Sequence, residues 1–244
     1  MIPQTKGQGK VIFLDSNHWQ LEIHAGSGRA YHLAQVDDYR SLRRKDFPHR
    51  PPFSLAVKAR ASHAEIPGTW GFGLWNDPFG VSLGFGGHPL HWPALPQAAW
   101  FFHASPENYL SFRDDQPANG FLAQVFRSNF HPGLLWAAAL YPFSPAKARQ
   151  WLAKYILDAS QTVTCDVTEW HTYALTWQEN AVCFSIDEHE IFMVPFAPRP
   201  PLGLAIWIDN QFAAFPPEGK LQGGLLPMQK NYWLEVILDE AGKH

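Results

Sequence analysis

The sequence predicts an all-β protein: two antiparallel sheets packed as a sandwich, with one inserted α-helix near residues 145–158. Three observations carry this. Runs of alternating apolar and polar residues recur along the chain, as in Phe53–Ser62 and on both sides of Gln178-Glu179-Asn180. Clusters of Gly, Pro, Asn and Asp punctuate those runs. Only one segment repeats its apolar residues clearly at helical spacing. The length of 244 residues suits one sandwich, read as a single domain over 1–244, and 46% hydrophobic against 17% charged residues supplies a large core.

In chain order, Val11–Leu14 and Trp19–Ile23 read as strands around the turn Asp15-Ser16-Asn17. Tyr31–Pro52 is polar and irregular and reads as a loop; its basic stretch Arg40–Arg50, broken by Asp46 and Pro48, reads as a solvated face. Phe53–Ser62 and Trp70–Asn76 are strands, the second with glycines at 71 and 73 that permit close approach of a ligand or another backbone. Phe79–Pro96 has no periodicity and is rich in Gly, Pro, His and Trp, the composition of an ordered functional loop. Ala98–Ser105, Tyr109–Arg113 and Phe121–Arg127 read as strands, and Leu134–Leu140 as an apolar run of either type.

Ser144–Ser160 is the helix. Ser144 suits the N-cap and Pro145 the first turn, and Ala148, Trp151, Leu152, Tyr155 and Ile156 form one apolar face opposite Lys147, Arg149, Gln150 and Lys154. Trp170–Phe192 reads as two strands and the turn between them, Gly203–Asn210 as a strand, and Tyr232–Leu238 as a closing strand.

Two of these stretches also resemble a family. Trp170-His171-Thr172-Tyr173, then Trp177, then Asp187, fit the F-H-x-Y-x-x-x-W-(turn)-x-x-x-x-x-D-G hairpin of the laminarinase/lichenase-type β-glucanases, with Glu188 where the glycine usually stands. FSLAVKARA followed by GTWGFGLWND resembles the strand order that precedes the catalytic strand in those enzymes. The resemblance covers about half of the chain and implies a concanavalin-A-like jelly roll with a carbohydrate cleft on one sheet. It also implies a retaining pair of glutamates in an E-x-D-x-x-E motif, in which alternation points both acids into one cleft. No such motif occurs in this sequence, and Ala98–Ser105, in the corresponding place, holds no carboxylate. The retaining mechanism is therefore not expected. The family often carries calcium, but no D-x-D-type loop supports one here; no metal and no cofactor are expected.

The candidate catalytic residues are Asp209, Glu107 and His103, and the candidate substrate-binding residues are Trp75, Asp77, Trp207 and Trp70. In Gly203–Asn210, alternation gives Leu204, Ile206 and Ile208 to the core and Ala205, Trp207 and Asp209 to the opposite face. An indole and an acid on an outward face offer a stacking platform and a hydrogen-bond acceptor, and Trp75 with Asp77 repeats the spacing. Phe101, His103 and Ser105 share a face of their strand, and the expectation is that it meets the same cleft. The competing role for each aromatic is core packing, for His103 a satisfied core histidine, and for Glu107 a loop acid.

A net charge of −3 argues against a nucleic-acid partner. No apolar run is long enough for a membrane span, and no signal segment is visible, so a cytoplasmic protein or a processed secreted form is expected. Cys165 and Cys183 are expected to remain thiols. Three functions stay open: a glucanase-like hydrolase or lyase with relocated acids, a non-catalytic carbohydrate-binding module, and an isomerase- or cyclase-type enzyme holding an apolar small molecule in an aromatic cleft. The oligomeric state is not legible from the sequence.

Overall fold

The computed structural model describes residues 1–78, 94–129 and 140–239. Its strands are β1 (Ile2–Lys6), β2 (Gly9–Asp15), β3 (His18–Ile23), β4 (Leu33–Asp37), β5 (Phe53–Ala61), β6 (Thr69–Trp75), β7 (Ala98–Ala104) and β8 (Gly120–Ser128). After the helix α1 (Pro145–Leu152) come β9 (Ile156–Thr162), β10 (His171–Trp177), β11 (Val182–Ile186), β12 (His189–Val194), β13 (Gly203–Asp209), β14 (Gln211–Ala214), β15 (Gln222–Leu225) and β16 (Tyr232–Asp239). Two seven-stranded antiparallel sheets form a jelly-roll sandwich, ordered β1-β4-β13-β6-β7-β8-β9 in the first and β12-β11-β10-β5-β16-β3-β2 in the second; β14 and β15 form a separate hairpin.

Alternation decides what each sheet buries. Leu204, Ile206 and Ile208 of β13 and Trp70, Phe72 and Leu74 of β6 face inward. They meet Leu55 and Val57 of β5, Tyr173 and Leu175 of β10, and Leu234 and Val236 of β16 from the other sheet. These residues are almost wholly removed from water, the main source of stability in a sandwich.

Four elements differ from the sequence expectation. Leu33–Asp37, read as loop, is β4, paired to β1 and β13. It is buried along its whole length, so both faces are covered and the period-two signal is blurred. Tyr109–Arg113 is not a strand; only Tyr109 makes a bridge, to Ala214. The helix ends at Leu152 rather than near 158, because Ile156–Thr162 pairs with β8 as an edge strand, with Ile156, Asp158 and Ser160 buried on the outward face, beside Phe126, and Ala159 on the core face. The stretch Trp170–Phe192 holds two strands and the start of a third, β12. The tight turn between β11 and β12 puts Asp187 and Glu188 at positive φ (48° and 68°), so Glu188 takes a conformation that favours glycine.

The loop expectation for Phe79–Pro96 lies, for residues 79–93, outside the described residues, as does the apolar run up to residue 139. Cys165 and Cys183 are free thiols: Cys165 lies 3.4 Å from the Tyr173 hydroxyl, and Cys183 donates to Glu190. Among the described residues no helix is long and apolar enough to cross a membrane, and no group of three His, Cys, Asp or Glu could hold a metal.

Candidate functional site

The outward face of the first sheet carries a cavity of about 360 Å³. Its floor comes from the side chains that alternate away from the core: Trp75 of β6, Trp100 and Phe102 of β7, Phe126 of β8 and Trp207 of β13. Leu110 and Phe112 from the β7–β8 connection and Phe212 and Phe215 from the β14 region wall it.

The floor is aromatic and packed. Trp75 and Trp207 have nearly parallel rings, 9° apart with centroids at 6.2 Å, and Trp100 and Phe102 approach Trp207 at 5.6 and 5.7 Å. Gly71 makes this arrangement fit. It pairs with Trp207 across β6 and β13, and a Cβ on it would lie 2.4 Å from the Phe101 carbonyl oxygen and 3.0 Å from the Trp207 ring. The close approach permitted by this glycine is thus to a neighbouring indole and backbone.

Polar groups stand at the two ends. At one end, the Thr69 hydroxyl donates to Asp209 Oδ1 at 2.7 Å, the Tyr31 hydroxyl to Oδ2 at 3.1 Å, and the Gln211 N–H to Oδ1 at 3.3 Å. Trp207 Nε1 donates to the Thr69 hydroxyl oxygen at 3.0 Å, so floor and acid form one chain. Burial pushes the Asp209 carboxyl up to about 6, against the lowering effect of its donors. At the other end, Trp75 Nε1 donates to the Tyr39 hydroxyl oxygen at 2.7 Å, and Gln35 Nε2 donates to Asp37 Oδ2 at 2.9 Å. Arg40, 3.4 Å from Asp37, and Asp77, with φ of 47°, complete this end.

Trp75, Asp77, Trp207 and Asp209 therefore line one cavity. Trp70 and His103 do not: both sit on the inter-sheet side, their rings parallel within 8° at 5.3 Å. On β7 the positions that reach the cavity are Trp100 and Phe102, so the expected face of Phe101 and His103 is the core face. Burial lowers His103 to about 4, holding it neutral among apolar neighbours. Glu107 is exposed in the turn after β7 and lies outside the cavity lining. Sequence reasoning missed Gln35 and Tyr39, which follow from β4, and Trp100 and Phe102, whose alternation was visible but assigned to the wrong side.

The two carboxyls of the cavity are far apart. Thr69 pairs with Asp209 and Trp75 with Gly203, so Asp209 and Trp75 stand at opposite ends of paired strands, with Asp77 two residues further on. Six residues of strand span about 20 Å. Glycoside hydrolysis uses carboxyls about 5–5.5 Å apart for retention and about 6.5–9.5 Å for inversion. Asp37, the remaining acid of this face, is fully buried and holds Gln35 and the Arg40 backbone.

No family model matches the chain, and no curated protein is significantly similar to it. Solved structures are similar in fold. An endo-β-galactosidase from Clostridium perfringens that releases GlcNAcα1-4Gal aligns over 98% of this chain and 59% of its own, at 10% identity and a TM-score of 0.44. The chain thus spans less than two thirds of that enzyme. Rv0315, an immunostimulatory antigen and pseudo β-1,3-glucanase of Mycobacterium tuberculosis, aligns over 96% of this chain and 79% of its own, at 14% and 0.42. A glycoside hydrolase family 16 endo-glucanase from Bacteroides ovatus aligns over 95% and 85%, at 13% and 0.46. At these identities the likeness is one of fold, not of site residues.

Proposed function

We propose that the aromatic cavity binds a saccharide, and that the protein does not hydrolyse it by a two-carboxylate mechanism. The observation that carries this reading is the floor of three indoles, Trp75, Trp100 and Trp207, with hydrogen-bonding groups at both ends. Indole faces stack on the C–H faces of sugar rings, and polar groups at the ends of a stacking platform fix orientation. Asp209, near half-protonation around pH 6, is the group suited to moving a single proton, while the spacing of the acids argues against glycosidase chemistry.

A second reading has its own support. Leu110, Phe112, Phe126 and Phe215 make the walls apolar, which suits a hydrophobic small molecule.

Binding of laminari-, cello- and xylo-oligosaccharides, followed by calorimetry and tryptophan fluorescence, separates the two. Saccharide binding is expected in the wild type, and Trp207→Ala is expected to weaken it about tenfold or more while lowering the melting temperature less than Trp70→Ala does. Trp70→Ala, a core deletion, is expected to cost about 3–5 kcal/mol of stability. No saccharide binding, together with one-to-one binding of a hydrophobic dye, would favour the second reading. Release of reducing ends from laminarin or lichenan with retained configuration would overturn the non-hydrolytic part.

A further inference from the structure

A second depression adjoins the polar end of the cavity. Arg44, Lys45 and Arg199 line it with the amides Asn76 and Gln97, and no acid is among its lining residues. Arg44 links the two: it lines the depression and donates to the carbonyl oxygen of Asp77, which lines the cavity, while Asn76, between Trp75 and Asp77, turns to the other side of the strand.

The amides are already committed. Asn76 donates to the Leu95 carbonyl and accepts from the Gln97 N–H; Gln97 donates to the Ser128 carbonyl and accepts from the Arg199 N–H. Arg44 is held by the carbonyl oxygens of Asn76 and Asp77, at 2.6 and 2.7 Å; burial lowers its pKa, and the nearby Asp77 charge offsets part of that. The neighbouring acid Asp46 is paired with Arg43 at 2.9 Å. Lys45 and Arg199 are exposed and make no ion pair among the described residues. The depression therefore holds two exposed cations, Lys45 and Arg199, beside Arg44, whose charge Asp77 partly offsets, although the net charge of the protein is −3. Like charges so gathered repel, and an oxyanion relieves that repulsion while accepting charge-assisted hydrogen bonds.

We propose that this depression is an oxyanion subsite adjoining the aromatic cavity, and that the saccharide reaching from the cavity into it carries a carboxylate or sulfate substituent. The inference rests on the saccharide reading of the cavity and adds the class of sugar: an acidic one.

The test uses the intact protein at constant ionic strength. Affinities are measured by tryptophan fluorescence for a neutral oligosaccharide, a uronate oligosaccharide and a sulfated oligosaccharide of equal length, on wild type and on the double variant Lys45→Gln/Arg199→Gln. At least one acidic ligand is expected to bind about tenfold tighter than the neutral one, and the double variant is expected to remove that advantage without changing neutral binding. Which acidic ligand gains identifies the substituent. Equal binding of all three by the wild type, or equal loss of neutral and acidic binding in the variant, overturns the subsite. A separate arm titrates inorganic sulfate and follows the backbone amide signals of Lys45 and Arg199. Saturable shifts in wild type that vanish in the variant support the depression as an anion site even where no saccharide binds, which would sink the cavity reading alone. Absence of a saturable shift overturns the depression as an anion site.

Discussion

Asp209 holds its proton more tightly in the folded protein than an exposed aspartate does, and His103 holds its proton less tightly than an exposed histidine. The Asp209 value of about 6 lies above the unfolded value near 4, so its contribution to stability is fully present below pH 4 and is lost as pH rises through 6. The His103 value of about 4 lies below the unfolded value near 6.5, so stability rises with pH between those limits. Each amounts to roughly 3 kcal/mol, and between pH 4 and 6 they oppose one another. Denaturant unfolding of Asp209→Asn across pH 4–7 is expected to show a steeper rise of stability with pH than wild type, and His103→Gln a fall. Unchanged pH dependence in both would mean that neither group is perturbed. Only the face of its strand that Asp209 shares with Trp207 was legible in the sequence, from the alternation with Leu204, Ile206 and Ile208. The partners Tyr31 and Thr69 lie 178 and 140 residues away along the chain, a separation that local pattern cannot bridge.

At the scale of elements, α1 matters less for its apolar stripe than for one residue opposite it. Arg149, placed by helical spacing on the polar face, is buried. It donates from Nε to the Phe215 carbonyl at 2.8 Å, from one terminal nitrogen to the Ser111 carbonyl at 3.0 Å, and pairs through the other with Asp114 at 2.6 Å. Those acceptors belong to the two segments that wall the cavity, so a single guanidinium fork ties both walls to the helix. Arg149→Met is expected to cost about 3–5 kcal/mol, because it leaves buried acceptors unmatched, and to weaken ligand binding as well. Arg149→Lys restores charge without the fork and is expected to recover only part of either. Thermal melts and affinity measured on the same samples check both. Periodicity gave the start of this helix correctly, whereas its end depended on β8 claiming Ile156–Thr162 as a partner, a tertiary preference that a local helical pattern does not contain. β4 escaped for a related reason: with both faces covered, its sequence carries no clean alternation to read.

For the whole molecule, the sandwich and the direction in which β13 faces were readable because one side of each strand is branched aliphatic and the other is not. The side of β7 that faces the cavity was not, since Trp100 and Phe102 are as apolar as Phe101. The strand order has a further consequence for how this chain comes into being. β16 lies between β5 and β3, and it joins β12-β11-β10-β5 on one side to β3-β2 on the other. Until residues 232–239 arrive, the second sheet is two unconnected pieces with bare edges, whatever has already been synthesised. A nascent chain on the ribosome therefore waits until residues 232–239 have been made before the second sheet can close, and its exposed edges in that interval invite pairing with other chains. A chain stopped after Asn231 is expected to be insoluble or protease-sensitive. Supplying Tyr232–Asp239 as a separate peptide is expected to rescue it in part, by strand addition into the gap. A soluble, cooperatively melting truncation would show that the second sheet closes without its bridging strand.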